Sequence, residues 1–151
     1  MASYLAQVNI ARAKAPLDSP LMAGFVNALD KVNAIADASP GFIWRLQTDD
    51  GNALAVRAYD DPRIIFNMSV WESVEALKEY VYRGMHGEIF ARRQDWFEKM
   101  EPPYMAMWWI PAGSIPEIAD AKKRLDYLLR HEESPYAFTF RKIFSPEAQR
   151  S

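Results

Sequence analysis

The stretch YRGMHGEIFARR, residues 82–93, places one of the chain's two histidines, His86, between two glycines. A glycine in a helix interior costs about 1 kcal/mol relative to alanine. Two such costs beside a histidine indicate that the backbone needs freedom or close approach there. Because an imidazole can accept a proton near neutral pH, His86 is the first candidate for a general base.

Helical spacing groups two further polar residues with this histidine. His86 and Arg93 are seven residues apart, which is two helical turns, and Tyr82 falls in the same apolar sector of the helix. Polar groups on a buried stripe need partners, and a ligand in a cavity between helix and sheet would supply them. Arg93 would then contribute positive charge, and Tyr82 would contact the substrate.

The neighbouring segment IIFNMSVWES has the alternation of a strand, with Phe66, Met68 and Val70 on one face and polar or aromatic residues on the other. The polar face carries Asn67 and Trp71. We expect Asn67 to hold a carbonyl or oxyanion and Trp71 to contact the substrate. Trp108 and Trp109 must face opposite sides of their strand, so we expect one of them, Trp109, to line the same pocket.

A structural interpretation of the same residues stays open. His86 would then be a buried histidine bonded to a backbone carbonyl, Arg93 would extend past aromatic rings to solvent, and the glycines would mark a break between two helices. The sequence does not separate this interpretation from the functional one.

Composition excludes several classes of protein. The chain of 151 residues is 50% hydrophobic, has a formal net charge of −2 and contains no cysteine. No basic block suggests nucleic acid or an anionic membrane as a partner, and no segment approaches the roughly 20 apolar residues that cross a bilayer. Thiolate metal sites are excluded, and the paired aspartates lie in turns, so no metal site is predicted. We expect a single cytoplasmic domain spanning residues 1–151.

The order of predicted elements indicates the fold class. Strands are predicted at residues 4–13, 41–48, 64–73 and 104–113, with helices at residues 21–39 and 74–100, followed by a helix at 114–134 and a last strand at 136–145. Alternation in GFIWRLQT predicts Phe42, Trp44 and Leu46 on one face of their strand, and Ser73 is predicted to cap the second helix. The helix at 114–134 is predicted to turn Ile118, Ala121, Leu125 and Leu128 inward. The first six elements have the β-α-β-β-α-β order of a ferredoxin-like α+β fold, an antiparallel sheet with helices on one face. Because both sheet faces carry large apolar residues, a homodimer is predicted to cover the second face.

Several segments together resemble an uncharacterised bacterial family of the dimeric α+β-barrel superfamily, alongside the antibiotic-biosynthesis monooxygenase-like domains. The resemblance rests on PGFIWRLQT, NMSVWESVEAL, YVYRGMHGEIFARRQDWF, WWIPAG and AFTFRKIF. It implies a homodimer in which paired sheets form a barrel and each subunit keeps a pocket. The family pattern has a histidine where this chain has Ser114, which implies an altered activity if that histidine is functional.

Three functions remain in competition. The first is a cofactor-independent, monooxygenase-like enzyme for a small apolar or aromatic molecule, with His86 removing a proton, Asn67 holding the oxyanion and Arg93 supplying charge. The second is a noncatalytic dimeric module that binds a small ligand. The third is a haem protein with His86 as axial ligand and Arg93 paired with a propionate; otherwise no cofactor is expected.

Overall fold

The computed structural model describes residues 2–47, 58–85, 93–100 and 104–147. These residues contain a four-stranded antiparallel sheet in the order β2-β3-β1-β4. The strands are β1 (Ser3–Arg12), β2 (Phe42–Arg45), β3 (Ile64–Trp71) and β4 (Met105–Pro111). The helices are α1 (Ala23–Asp37), which follows a short 3₁₀ turn, α2 (Val74–Met85), the single turn α3 (Arg93–Trp96) and α4 (Ile118–Arg130).

The register of β1 gives the sheet two chemically different faces. On one side Gln7 is opposite Ser69, and Asn9 is opposite Asn67. We call this side the amide face. On the other side, here called the apolar face, lie Ala6, Val8, Met68, Val70, Ala106 and Trp108, all at most 1% exposed. Trp108 and Trp109 lie on opposite faces, as the strand period predicts.

Helices α1 and α2 pack on the amide face. Val74 and Leu77 of α2 contact the cluster around Leu5 and Trp71, and Leu29 of α1 packs beside Ile65 at the far end of the sheet. The Oγ atom of Ser73 accepts a 3.1 Å hydrogen bond from the backbone N–H of Ala76. This contact confirms Ser73 as the N-terminal cap of α2.

Helix α4 covers the apolar face within the same chain. Its inward residues Ala121, Leu125 and Leu128 are buried in one cluster with Val8, Phe66 and Trp108. The two helices of the β-α-β-β-α-β unit, α1 and α2, therefore lie on one face of the sheet, as predicted. The additional helix α4 lies on the other face. The apolar surface from which the homodimer was predicted is filled by α4, so the homodimer stays a prediction without that surface as its basis.

Two local predictions differ from the structure. Phe42 is paired with Trp71, and Trp44 is paired with the adjacent Val70, so a register irregularity places Phe42 against the amide face and Trp44 in the apolar-face cluster. Simple alternation predicts both on one face, and the shift in register between them prevents this. The last predicted strand, residues 136–145, is instead a series of isolated bridges, one of them between Met107 and Phe138. Tight turns on either side of this bridge, at residues 134–137 and 139–142, keep the segment short.

Candidate functional site

Three amides and one hydroxyl form a connected cluster at the centre of the amide face. Gln7 Nε2 donates to Ser69 Oγ at 2.6 Å and to Asn67 Oδ1 at 3.1 Å. Asn9 Nδ2 donates to Gln7 Oε1 at 3.0 Å and to Asn67 Oδ1 at 3.3 Å. Gln7 and Ser69 are buried, whereas Asn67 is exposed. The cluster therefore links a buried polar centre to one amide at the surface.

The cluster orients the Asn67 side chain. Its Oδ1 atom accepts from both Gln7 and Asn9, which accounts for two acceptor positions of an amide oxygen. Within the described residues, Asn67 Nδ2 has no hydrogen-bond partner. Its two N–H groups are thus available to a ligand, in an amide whose rotation is restricted by two hydrogen bonds. A fixed N–H donor pair is the arrangement that binds a carbonyl oxygen or an oxyanion.

Trp71 is part of the same cluster and is buried. Its Nε1 atom donates to Ser69 Oγ at 2.9 Å, and its indole is 1% exposed. Tyr80 stacks on it at a centroid distance of 5.0 Å, and Phe42 meets it edge to face at 5.4 Å. Within the described residues Trp71 therefore supports the cluster from beneath.

A cleft beside Asn67 lies between α1 and the β2 edge of the sheet. Its volume is about 30 Å³, enough for about two water molecules. The lining residues are Leu29, Asn33, Arg45, Leu46, Ile65, Phe66 and Asn67. Arg45 Nε and Nη2 donate to the Asp37 carboxylate at 2.8 and 3.3 Å. The cleft thus has an apolar wall, a paired guanidinium and the exposed amide, and it admits only the edge of a molecule.

Tyr80 adds a neutral hydroxyl near this end of the site. Burial raises the pKa of the Tyr80 phenol above its ordinary value of 10.0, and the Asp37 carboxylate raises it further while Arg45 lowers it. The phenol therefore stays protonated at neutral pH.

The remaining predicted site residues are dispersed. Tyr82 is 64% exposed and Arg93 is exposed, so neither side chain is enclosed between helix and sheet. Trp109 lies on the amide face at the β4 edge, where its Nε1 atom donates to the backbone oxygen of Phe144 at 2.8 Å. His86 lies outside the described residues. Asn67 and Trp71 belong to one hydrogen-bonded cluster, whereas Trp109 lies on β4, two strands away from Asn67.

Ser114, where the family pattern was expected to carry histidine, is exposed in the turn after β4. Its hydroxyl donates to the backbone oxygen of Pro111 at 2.6 Å, which accounts for a local turn role.

A metal ion needs a group of ligands, and haem needs a large cavity, which the described residues would have to supply. No group of three or more potential metal ligands occurs among them. A pocket for a drug-sized ligand has a volume of roughly 300 Å³ or more, and haem is larger than such ligands, whereas the cleft measures about 30 Å³. The described cleft therefore does not fit haem. No described helix is long and apolar enough to cross a membrane.

Sequence reasoning missed Gln7, Asn9 and Ser69, which complete the cluster, and also Arg45 and Tyr80, which lie beside it. A signal for the first three was present. Gln7 and Asn9 interrupt an otherwise apolar strand at alternate positions, and so do Asn67 and Ser69. Polar residues on the same face of two strands pair when the strands are neighbours.

Fold and site together define an α+β protein of ferredoxin-like topology with a polar cluster of amides on the helix-covered face of its sheet. The chain belongs to the family described as "Domain of unknown function (DUF3291)", whose model matches residues 4–151. The predicted membership of an uncharacterised family is thereby confirmed. No curated protein matches the sequence.

Solved structures with a similar fold include an oxygenase and a protein of unknown function. SnoaB, a cofactor-independent oxygenase from Streptomyces nogalater, is 15% identical with a TM-score of 0.42, covering 77% of this chain and 100% of that one. A protein of unknown function from Nitrosomonas europaea, NE2512, is 14% identical with a TM-score of 0.46, covering 76% and 96%. At these identities and TM-scores the likeness does not extend to function.

Proposed function

We propose that this protein is a cofactor-independent, monooxygenase-like enzyme that binds a small planar phenol or enol through its oxygen atom. The observation that carries the proposal is the Asn67 amide, whose oxygen is occupied by Gln7 and Asn9 while its nitrogen has no partner in the described part of the chain. This donor pair would bind the oxygen of the ligand and favour its ionised form. The predictions made for Asn67 from the sequence thus have a geometric basis.

The chemistry requires a proton acceptor and dioxygen. An enol or phenol that has lost its proton is a carbanion equivalent, and it can transfer one electron to dioxygen. The resulting substrate radical and superoxide then combine to a peroxide, which loses water to leave a carbonyl group. His86 keeps the role of proton acceptor predicted from the sequence. Arg93, at the start of α3, is exposed and keeps its predicted role as a source of positive charge. The roles of His86 and Arg93 are proposals. We also propose that the chain forms a single domain and that the protein is cytoplasmic, as expected from composition.

The shape of the cleft limits how the substrate would bind. A volume of about 30 Å³ holds the oxygen-bearing edge of a ring and not the whole ring. The rest of the molecule would lie across the mouth of the cleft. Trp71 would not contact it, since it is covered by Tyr80 and Phe42. We therefore assign Trp71 to the support of the cluster, and Tyr82 and Trp109 remain predicted contacts without a shared pocket in the described residues.

The test uses anthrone, an acidic ketone whose enolate reacts with dioxygen to give anthraquinone and one water molecule. Oxygen uptake and anthraquinone absorbance would be followed for the wild type and for Asn67→Ala and Asn67→Asp. A control is Asn27→Ala, which removes an exposed amide of α1 that does not line the cleft. Turnover that falls about a hundred-fold or more in the Asn67 variants and persists in the control supports the proposal.

The second candidate is a noncatalytic module that binds a small ligand, as expected if the interior is filled. The burial of Trp71 and the small cleft favour it. It predicts no anthrone turnover above the buffer rate in any variant. In that case saturable binding of 4-nitrophenolate that Asn67→Ala abolishes would assign a binding function without catalysis. The homodimer expected from the resemblance would be tested in the same samples by sedimentation equilibrium.

A further inference from the structure

Gln7 is the hub of the amide cluster. Its side chain makes hydrogen bonds to Ser69, Asn67 and Asn9, and the residue is 4% exposed. A buried amide with this many partners is held in one position, because losing any of them would leave a polar atom unpaired. Asn67 is exposed, and the cluster holds it through Gln7 and Asn9.

A ring of amides can be hydrogen-bonded in two directions. In the direction found here, Gln7 Nε2 points to Ser69 and Asn67, and Asn67 turns Nδ2 away from the ring. If all three amides were turned over, Ser69 and Asn67 would donate to Gln7, and Asn67 would present Oδ1 instead. Trp71 Nε1 can only donate, so its bond to Ser69 Oγ is the same in both directions.

We infer that Gln7 is a positioning residue that sets the direction of this ring, and through it makes the site selective for oxyanions over N–H donors. The inference rests on the proposed function and names the ligand chemistry that the same site accepts. Gln7 acts without touching the ligand. Its amide nitrogen occupies the oxygen of Asn67, which leaves the nitrogen of Asn67 for an acceptor.

The test reverses the ring with an isosteric substitution. In Gln7→Glu the carboxylate can only accept, so Asn9 keeps its donor toward it, while Ser69 and Asn67 must turn a donor toward it. Asn67 then presents Oδ1 at the cleft. Three probes of similar shape report the change: 4-nitrophenolate as an anionic acceptor, 4-nitrobenzaldehyde as a neutral acceptor, and 4-nitroaniline as a neutral donor. Dissociation constants would be measured by titration, with the side-chain N–H resonances of Asn67 as a second readout.

We expect the wild type to bind 4-nitrophenolate and 4-nitrobenzaldehyde more tightly than 4-nitroaniline. In Gln7→Glu the two acceptors should weaken about ten- to a hundred-fold, and 4-nitroaniline should become the preferred probe. The neutral aldehyde separates ring direction from charge, because repulsion by a new carboxylate would weaken the phenolate alone. A merely structural role for Gln7 would weaken all three probes together.

A buried carboxylate can prevent folding, so Gln7→Met serves as a second variant. It removes the hub without adding charge, and selectivity between acceptor and donor probes should then fall close to one. An unchanged order of the three probes in either folded variant would overturn the inference and leave the proposed oxyanion site intact. A wild type that binds none of the probes would overturn the proposed site and the inference with it.

Discussion

The indole Nε1 atom of Trp71 donates a 2.9 Å hydrogen bond to the Oγ atom of Ser69, two residues earlier on the same face of β3. Both residues are buried, and Ser69 also accepts from Gln7. The hydroxyl therefore joins the packed aromatic layer beneath α2 to the polar cluster beside the cleft. Removing the Ser69 hydroxyl should therefore lower the stability of the aromatic layer and weaken ligand binding at the polar cluster.

Ser69→Ala should destabilise the protein by about 1–3 kcal/mol, because it leaves buried N–H groups of Trp71 and Gln7 without their acceptor. The measurement is denaturant unfolding of the purified variant. Trp71→Phe removes the donor instead, and the double variant should lose less stability than the sum of the two single changes. Additive losses would show that the hydrogen bond contributes nothing to stability.

Gly41→Ala should be among the most destabilising changes to a glycine in the described chain. Gly41 has φ of +82°, and a Cβ built there lies 2.5 Å from the Cβ of Ala76 on α2. Gly113→Ala is the matched control, since Gly113 has φ of +91° and nothing within 4 Å of its built Cβ. Backbone strain alone costs about 1–2 kcal/mol at either site. Thermal unfolding should show a larger loss for Gly41→Ala, and equal losses would exclude a close approach of β2 to α2.

Sequence patterns predicted the elements whose hydrophobic period is regular. The apolar stripe of α4 and the alternation of β3 correspond to the structure, as does the capping of α2 by Ser73. They were predictable because each depends on residues close in sequence. The prediction that Phe42 and Trp44 share one face of the sheet was wrong. A shift in register pairs them with adjacent residues of β3, which point to opposite faces.

The sequence predicted only those residues of the cluster that lie on a single strand. Asn67 and Trp71 share a strand, so alternation places them together. Gln7 and Asn9 lie some sixty residues away in sequence, and only the register between β1 and β3 brings them to Asn67. The helical wheel predicts a direction around the helix for Tyr82 and not the face on which the helix packs. Its side chain is 64% exposed, and its contact with a substrate stays a prediction.

His86→Ala tests the predicted proton acceptor independently of Asn67. If His86 removes the substrate proton, turnover of anthrone should fall about a hundred-fold or more while the binding of 4-nitrophenolate, which carries no proton to remove, stays unchanged. Asn67→Ala should reduce both. His131→Ala is the control, because His131 stacks on Tyr127 beyond the end of α4, on the opposite side of the sheet. Unaltered turnover in His86→Ala would exclude the histidine from the mechanism.

Asp61 should make the stability of the protein depend on pH in the acid range. Its Oδ1 atom accepts a 2.9 Å hydrogen bond from the backbone N–H of Arg63, and this bond is the main cause that holds the pKa of Asp61 below its ordinary value of 3.8, assisted by the Arg63 and Arg12 guanidinium groups. A carboxyl group whose pKa is lower in the folded state stabilises that state above the ordinary pKa, and the contribution is lost as pH falls through the folded value.

Asp61→Asn keeps an oxygen for the Arg63 N–H and removes the charge. It should therefore unfold at a lower temperature than the wild type at neutral pH, and the difference should close in acid. Asp60→Asn is the control for net charge, because Asp60 is exposed and makes no ion pair within the described chain. If the melting temperatures of Asp61→Asn and the wild type changed in parallel from neutral to acid pH, the ionised Asp61 carboxylate would make no contribution to stability.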